Sequence, residues 1–198
     1  MSLVVVDACG ANISSVLGAL RRLGCEPTVT ADANVIQSAE RVILPGVGAA
    51  GNAMERLHAH ALVDVIPQLT QPVLGICVGM QVLFSGSDED DVDCLGVFDA
   101  RLKKFADNPQ LPVPHMGWNK LNLLSEHPLL TNLTSVSWCY FVHSYRADSF
   151  DATIASSDYG TPFTAVVAEN NFMGVQFHPE RSADTGSQVL KNFLHHCS

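Results

Sequence analysis

The chain has 198 residues, 47% of them hydrophobic and 16% charged. That profile suits one α/β domain with a buried core and excludes a disordered or fibrous protein. A formal net charge of -9 argues against nucleic acid as a partner, because phosphate is repelled, and no run reaches the roughly 18 apolar residues of a membrane helix.

The N-terminus, Met1-Ser2-Leu3-Val4-Val5-Val6-Asp7, lacks the basic start and cleavage site of a secretory signal, so a cytoplasmic protein is expected. Leu3 to Val6 reads as a strand buried on both faces. Apolar residues at 13, 16, 17, 20 and 23 repeat at helical spacing, with Asn12 as N-cap and Gly24 past the end. Val42-Ile43-Leu44 is a second buried strand, stopped by Pro45-Gly46. Helical segments are expected within 50–68, then a strand at Val73 to Ile76 and a helix from about Val78. Strand alternating with helix implies parallel βαβ units and helices on both sides of one mostly parallel sheet, a three-layer αβα sandwich.

After Phe84 the pattern changes. Asp88-Glu89-Asp90-Asp91-Val92-Asp93 reads as an acidic loop. Additional short β-strands are expected near 97–103, 120–124, 136–142, 151–155, 163–168 and 172–177. Three prolines between 109 and 114 make that stretch irregular. A helix from about Asp184 to His196 closes the domain. No repeat or linker divides residues 1–198.

Six cysteines, at 9, 25, 77, 94, 139 and 197, show no C-x-x-C pair and no zinc-type Cys/His spacing. No metal or other cofactor is expected, and most of these thiols read as small buried side chains. Cys77 is different. Gly75-Ile76-Cys77-Val78-Gly79 sits where a predicted strand meets a predicted helix, the G-x-nucleophile-x-G pattern of a nucleophile elbow. Such a turn projects the central side chain clear of the sheet edge. The N–H groups of the following helix favour thiolate, and the Val78 N–H is available to an oxyanion. A plain buried cysteine at a strand end would look the same in five residues.

Two further segments weigh against that plain reading. Pro45-Gly46-Val47-Gly48 follows a strand, so it too belongs at the carboxyl edge, where open parallel sheets bind ligands. Its glycines permit close backbone approach, which makes it a candidate second oxyanion donor or else an ordinary βα turn. Near the C-terminus, Val175-Gln176-Phe177-His178-Pro179-Glu180 ends a strand. Period two in extended chain puts His178 and Glu180 on one side, a base beside a carboxylate able to fix its tautomer. A surface His-Pro-Glu turn is the alternative for that tripeptide alone. His58, His60, His115, His127, His195 and His196 read as structural or solvent-facing.

In order and spacing, Pro45-Gly46-Val47-Gly48, Gly75-Ile76-Cys77-Val78-Gly79-Met80-Gln81 and Val175-Gln176-Phe177-His178-Pro179-Glu180 resemble the class I (triad) glutamine amidotransferase family, whose fold is flavodoxin-like. Asn12-Ile13-Ser14-Ser15-Val16, Pro114-His115-Met116-Gly117-Trp118-Asn119 and Tyr140-Phe141-Val142-His143-Ser144-Tyr145 are similar to the branch that supplies separate glutaminase subunits to a histidine-biosynthetic synthase. The resemblance implies that Cys77 attacks L-glutamine, His178 shuttles protons and Glu180 orients it. Gly46, Val47 and Gly48 would form the oxyanion strand with Val78 as the other donor. Gln81 and the backbone around Ser144 and Tyr145 would hold the amino-acid end of the substrate. The ammonia would pass to a (β/α)₈-barrel cyclase/synthase subunit in a heterodimer.

By the same resemblance Trp118 lies near that interface, although one aromatic in a proline-rich loop also serves simply to anchor it. Because a glycine-flanked peptide rotates cheaply, the Val47 N–H could point toward or away from the oxyanion, and the isolated subunit is expected to be a poor glutaminase. Cysteine at position 9 and the density of the acidic run depart from the family pattern. A glutaminase subunit for anthranilate, guanylate or pyridoxal phosphate synthesis, a non-catalytic subunit on the same fold and a γ-glutamyl hydrolase stay open as alternatives.

Overall fold

The structure, a computed structural model, describes residues 2–9 and 13–197. Strands and helices are numbered in chain order. β1 (Leu3–Val6) is buried along its length and lies between β2 (Thr28–Thr30) and β3 (Arg41–Gly46), parallel to both. α1 (Ile13–Arg22) turns Val16, Ala19 and Leu20 inward. It ends in a Schellman turn: the Cys25 N–H donates to the Leu20 carbonyl and the Gly24 N–H to that of Arg21, with Gly24 at φ 78°. The expected cap at Asn12 falls outside the described residues. α2 (Ala33–Ser38), which the sequence reading did not include, is capped by the Asp32 carboxylate accepting from the Asn34 and Val35 N–H groups. α3 (Ala50–Ala59) leads to β4 (Val73–Cys77), and α4 (Val78–Gln81) follows directly.

The main sheet runs β2-β1-β3-β4 and continues through β14 (Phe172–Val175), β13 (Pro162–Glu169), β12 (Thr153–Asp158) and β9 (Asn122–Leu123). Pairing is parallel from β2 to β14 and antiparallel beyond it. The chain leaves β1 toward β2 in one direction and passes from β3 to β4 in the other, so right-handed crossovers put α1 and α3 on opposite faces. A second sheet has the order β11 (Tyr145–Arg146), β7 (Phe98–Lys104), β5 (Phe84–Ser87), β6 (Val92–Asp93). β8 (His115–Lys120) and β10 (Trp138–His143) form a two-stranded antiparallel ribbon, and α5 (Ala183–His195) closes the chain.

Several expectations need correction. The strand expected to stop before Pro45-Gly46 continues through both, because β4 pairs with it as far as Gly46. β1 pairs with it only to Ile43, so Pro45 has an unpaired side on which a missing N–H is tolerated. The helix after Cys77 is only four residues long, since Phe84 is drawn into β5 and packs on Phe98 at 5.4 Å between ring centroids. The segment 115–119, read as a loop, is a strand: Met116, Trp118 and Lys120 alternate outward from β8 while His115 is buried. The acidic run is the tip and second strand of the β5–β6 hairpin rather than a free loop. Cys9, Cys77, Cys139 and Cys197 are buried, and all six thiols are free.

Candidate active site

Parallel pairing of β3 with β4 ends at the register pair Gly46 and Cys77, so the glycine turn and the thiol leave the same sheet edge side by side. Cys77 has φ 55° and ψ −112°, a backbone conformation that costs a side-chain-bearing residue of order 1–3 kcal/mol and is held only by its surroundings. Those surroundings are glycines. A Cβ on Gly46 would lie 2.6 Å from the Gly79 nitrogen, and one on Gly75 2.6 Å from the Gly79 carbonyl oxygen. The elbow therefore folds as a close backbone stack with no room for side chains. Val78 starts α4, where N–H groups of the first turn have no helical partner.

His178 reaches the same place from β14. The strand ends at Val175, and Pro179 opens a 3₁₀ turn over Pro179–Arg181. The expected period-two relation of His178 and Glu180 is thus replaced by a turn. Proline's fixed φ suits the first position of that turn, and His178 before it is extended, as residues preceding proline are. The turn brings Glu180 Oε1 to 2.9 Å from His178 Nδ1. The other oxygen, Oε2, is buried without a hydrogen-bond partner among the described residues. Ser182 clamps the imidazole's backbone: its hydroxyl donates to the His178 carbonyl at 2.7 Å and accepts from the Tyr140 N–H at 2.9 Å. Burial opposes charge on His178, but hydrogen bonds and charge interactions with Cys77 and Glu180 outweigh it and raise its pKa to about 10. Cys77 and His178, about a hundred positions apart in sequence, line one cavity, as a nucleophile and its base must, and the thiol itself donates to the Val142 carbonyl at 3.8 Å.

A cavity of about 290 Å³ opens beside the sulfur, lined by Cys77, His178, Val78, Gln81, Glu89 and Tyr145 among others. Every residue predicted for this site except Gly46 and Glu180 lines it; those two line a second cavity, of about 200 Å³, that shares His178 with the first and includes Tyr140 and Arg181. Val47, Val142 and His178 belong to both walls. Gln81 Nε2 donates to the Tyr145 carbonyl at 3.3 Å and to Gln176 Oε1 at 3.0 Å, which leaves its own oxygen free for a donor. Ser144 gives its carbonyl to the Phe105 N–H at 3.0 Å.

Two site residues escaped the sequence reading. Gln176 is fully buried and points Nε2 at Cys77 Sγ, 3.9 Å away; its place two before His178 on the same extended segment was the available signal. Glu89 lines the first cavity and accepts from the Ala50 N–H at 3.0 Å, with burial raising its pKa. Nothing in the run 88–93 distinguishes it from its acidic neighbours.

A family model described as glutamine amidotransferase class-I matches residues 4–197. The chain is a class I glutamine amidotransferase. Relatives of this amidotransferase named imidazole glycerol phosphate synthase subunit HisH include one from Idiomarina loihiensis, 51% identical over 98% of this chain and 97% of the relative. Another, from Xylella fastidiosa, is 48% identical over 96% of this chain and 95% of the relative. A solved glutamine amidotransferase superposes with a TM-score of 0.76 at 18% identity, covering 98% of this chain and 97% of that one. PurLQS from Thermotoga maritima gives 0.73 at 19%, with the same coverage. At those identities the likeness to solved structures is one of fold.

Proposed function

We propose that this amidotransferase is the glutaminase subunit of imidazole glycerol phosphate synthase, acting in histidine biosynthesis. The observation that carries the reading is the meeting of Cys77, His178 and Glu180 at one strained elbow, in a chain half identical to relatives bearing that name. Cys77 sulfur attacks the carboxamide carbon of L-glutamine. The carbonyl oxygen takes negative charge within reach of the Val78 N–H and the Gly46-Val47-Gly48 backbone. His178 gives its proton to the leaving nitrogen as the C–N bond breaks, and Glu180 holds the imidazolium. Water, deprotonated by His178, then attacks the thioester, releasing glutamate and restoring the thiol.

The amino-acid end of the substrate fits the other end of the first cavity. Glu89 and the free oxygen of Gln81 are acceptors there and suit an α-ammonium, while the backbone of Ser144 and Tyr145 forms the wall. Ammonia leaves through the second cavity, which shares His178 with the first. The outer face of the β8–β10 ribbon presents Met116 (63% exposed), Trp118 (50%) and Trp138 (46%) beside Tyr140, which lines that exit. An apolar, aromatic surface at the mouth of an ammonia outlet suits a protein partner. We assign it to a (β/α)₈-barrel synthase subunit in a heterodimer, forming imidazole glycerol phosphate and aminoimidazole carboxamide ribotide. Trp118 is half-exposed, which favours this role over that of a core anchor.

The test is co-purification with the barrel synthase followed by glutaminase assays with and without it. A stable complex whose glutamine turnover exceeds that of the free subunit roughly a hundredfold or more, the scale of one missing oxyanion donor, is expected. Failure to bind the barrel, or equal turnover in both assays, would overturn the reading.

A further inference from the structure

Two histidines that the chemistry above does not use stand at the substrate cavity: His143 is part of its wall, and His115 packs against His143. His143 ends β10 and His115 begins β8, and the ribbon register pairs them. Both are buried, at 5% and 3% exposure. His115 is sandwiched between Tyr159 and Phe141, with ring centroids at 4.1 and 5.1 Å. His143 sits 5.0 Å from Phe163 and 5.2 Å from Phe105.

Their hydrogen bonds run in one direction only. His143 Nδ1 lies 2.8 Å from the Tyr145 carbonyl oxygen, which can only accept, so Nδ1 carries the proton. At the other end, Asn119 is fixed twice: its oxygen accepts from the Lys120 N–H at 2.8 Å and its nitrogen donates to the Asp158 carbonyl at 2.7 Å. The nitrogen therefore also faces His115 Nε2, 3.4 Å away, and that ring atom must accept. His115 is left with its proton on Nδ1, which meets His143 Nε2 at 3.1 Å. Both rings are thereby neutral with Nδ1 protonated. A second proton on either would set N–H against N–H and break a link. Burial, which holds the pKa of His115 down at about 4 and that of His143 at about 3, acts in the same direction.

The chain of bonds ends on the peptide that forms the wall of the substrate cavity. The Tyr145 carbonyl accepts from His143 on one side and from Gln81 on the other, so both its lone pairs are used and the peptide plane is held. We infer that His143, backed by His115 and Asn119, is a positioning residue for glutamine binding: a tautomer-locked relay that fixes the Tyr145 peptide and, through it, Gln81. The inference rests on the reading of the cavity as a glutamine site.

Two measurements test it. Nitrogen NMR of the full chain with labelled histidine is expected to show two neutral rings protonated at Nδ1, the minor form of free histidine, with one of them lost in His143→Asn. That result does not depend on any activity. Kinetics in the complex with the barrel synthase form the second arm. His143→Leu, which removes the donor, is expected to raise KM for glutamine about tenfold or more and to lower kcat much less. His143→Asn, whose amide nitrogen can occupy the Nδ1 position, is expected to recover most of that loss. A purely structural role would lower thermal stability without this split or this rescue. The inference is overturned if either ring is protonated at Nε2, if KM in a folded His143→Leu is unchanged, or if asparagine is no better than leucine. Wild type that hydrolyses no glutamine in the complex would instead sink the glutaminase reading and leave the NMR result to decide the relay.

Discussion

Gly79 lies so close against β3 that a Cβ added to it would stand 1.7 Å from the Leu44 carbonyl oxygen. No side chain can move to relieve that contact, because the opposing atom is main chain in the centre of the sheet. Gly79→Ala is therefore expected to displace the elbow itself. The predicted cost is about 3 kcal/mol or more, at the upper end of ordinary overpacking. Chemical denaturation should show a lower midpoint, and the folded remainder should lose glutaminase activity; wild-type stability in this variant would refute the packing.

Substituting the chemical groups should act without touching the fold. Cys77→Ser is expected to lose roughly 10³-fold or more in glutamine turnover, and Glu180→Gln roughly 10²- to 10⁴-fold in kcat with KM little altered. Glu180 holds His178 by a single 2.9 Å bond, and the amide can present the wrong group to Nδ1. Steady-state kinetics of the assembled synthase, with circular dichroism as a control for folding, would check both. Turnover retained in either variant would remove that residue from the mechanism.

Glu89 should affect binding rather than chemistry. It lines the cavity from the tip of the β5–β6 hairpin. Glu89→Gln keeps an acceptor but removes the charge, and is expected to raise KM for glutamine about tenfold while leaving kcat within about threefold. An unchanged KM would assign the α-ammonium to other groups.

Stability should fall in mild acid. His115 and His143 have pKa values lowered chiefly by burial, to about 4 and about 3, against 6.5 for an ordinary histidine. Between those values the unfolded chain binds more protons than the folded one, so stability is lost as pH drops from about 6.5 toward 4. Each ring contributes up to roughly 1.4 kcal/mol per pH unit. His178 has the opposite sign: its raised pKa gives stability below about 6.5 that disappears as pH climbs through about 10. Denaturation midpoints measured from pH 4 to 7 should show a shallower acid slope in His115→Asn/His143→Asn than in wild type. Identical slopes would mean that the two rings are protonated in the folded state.

The parallel half of the sheet was legible because its signals are local. Leu3–Val6, Val42–Leu44 and Val73–Ile76 are continuous apolar runs closed by turn residues, and each is a buried strand. The elbow was legible because Gly75, Cys77 and Gly79 carry a steric requirement in their order. The ribbon strand His115–Lys120 was lost behind three prolines, although outward Met116, Trp118 and Lys120 alternate correctly for a strand. β2 has the weakest signal: three residues, largely exposed, held by pairing to β1. Glu89 and the His115–His143 pair could not be read at all. Their positions depend on which turns face the cavity and which rings meet across a ribbon, and both are settled by contacts distant in sequence.

One consequence follows from the backbone at Cys77, where φ is 55° and ψ −112°. Glycine would occupy those angles without penalty, so conformational relief there opposes the thiol that the proposed reaction requires. Mutational drift screened for robustness alone would tend to erase this cysteine. Its retention would then mark continued selection for turnover, and a lineage that no longer needed the ammonia would be expected to shed the sulfur early.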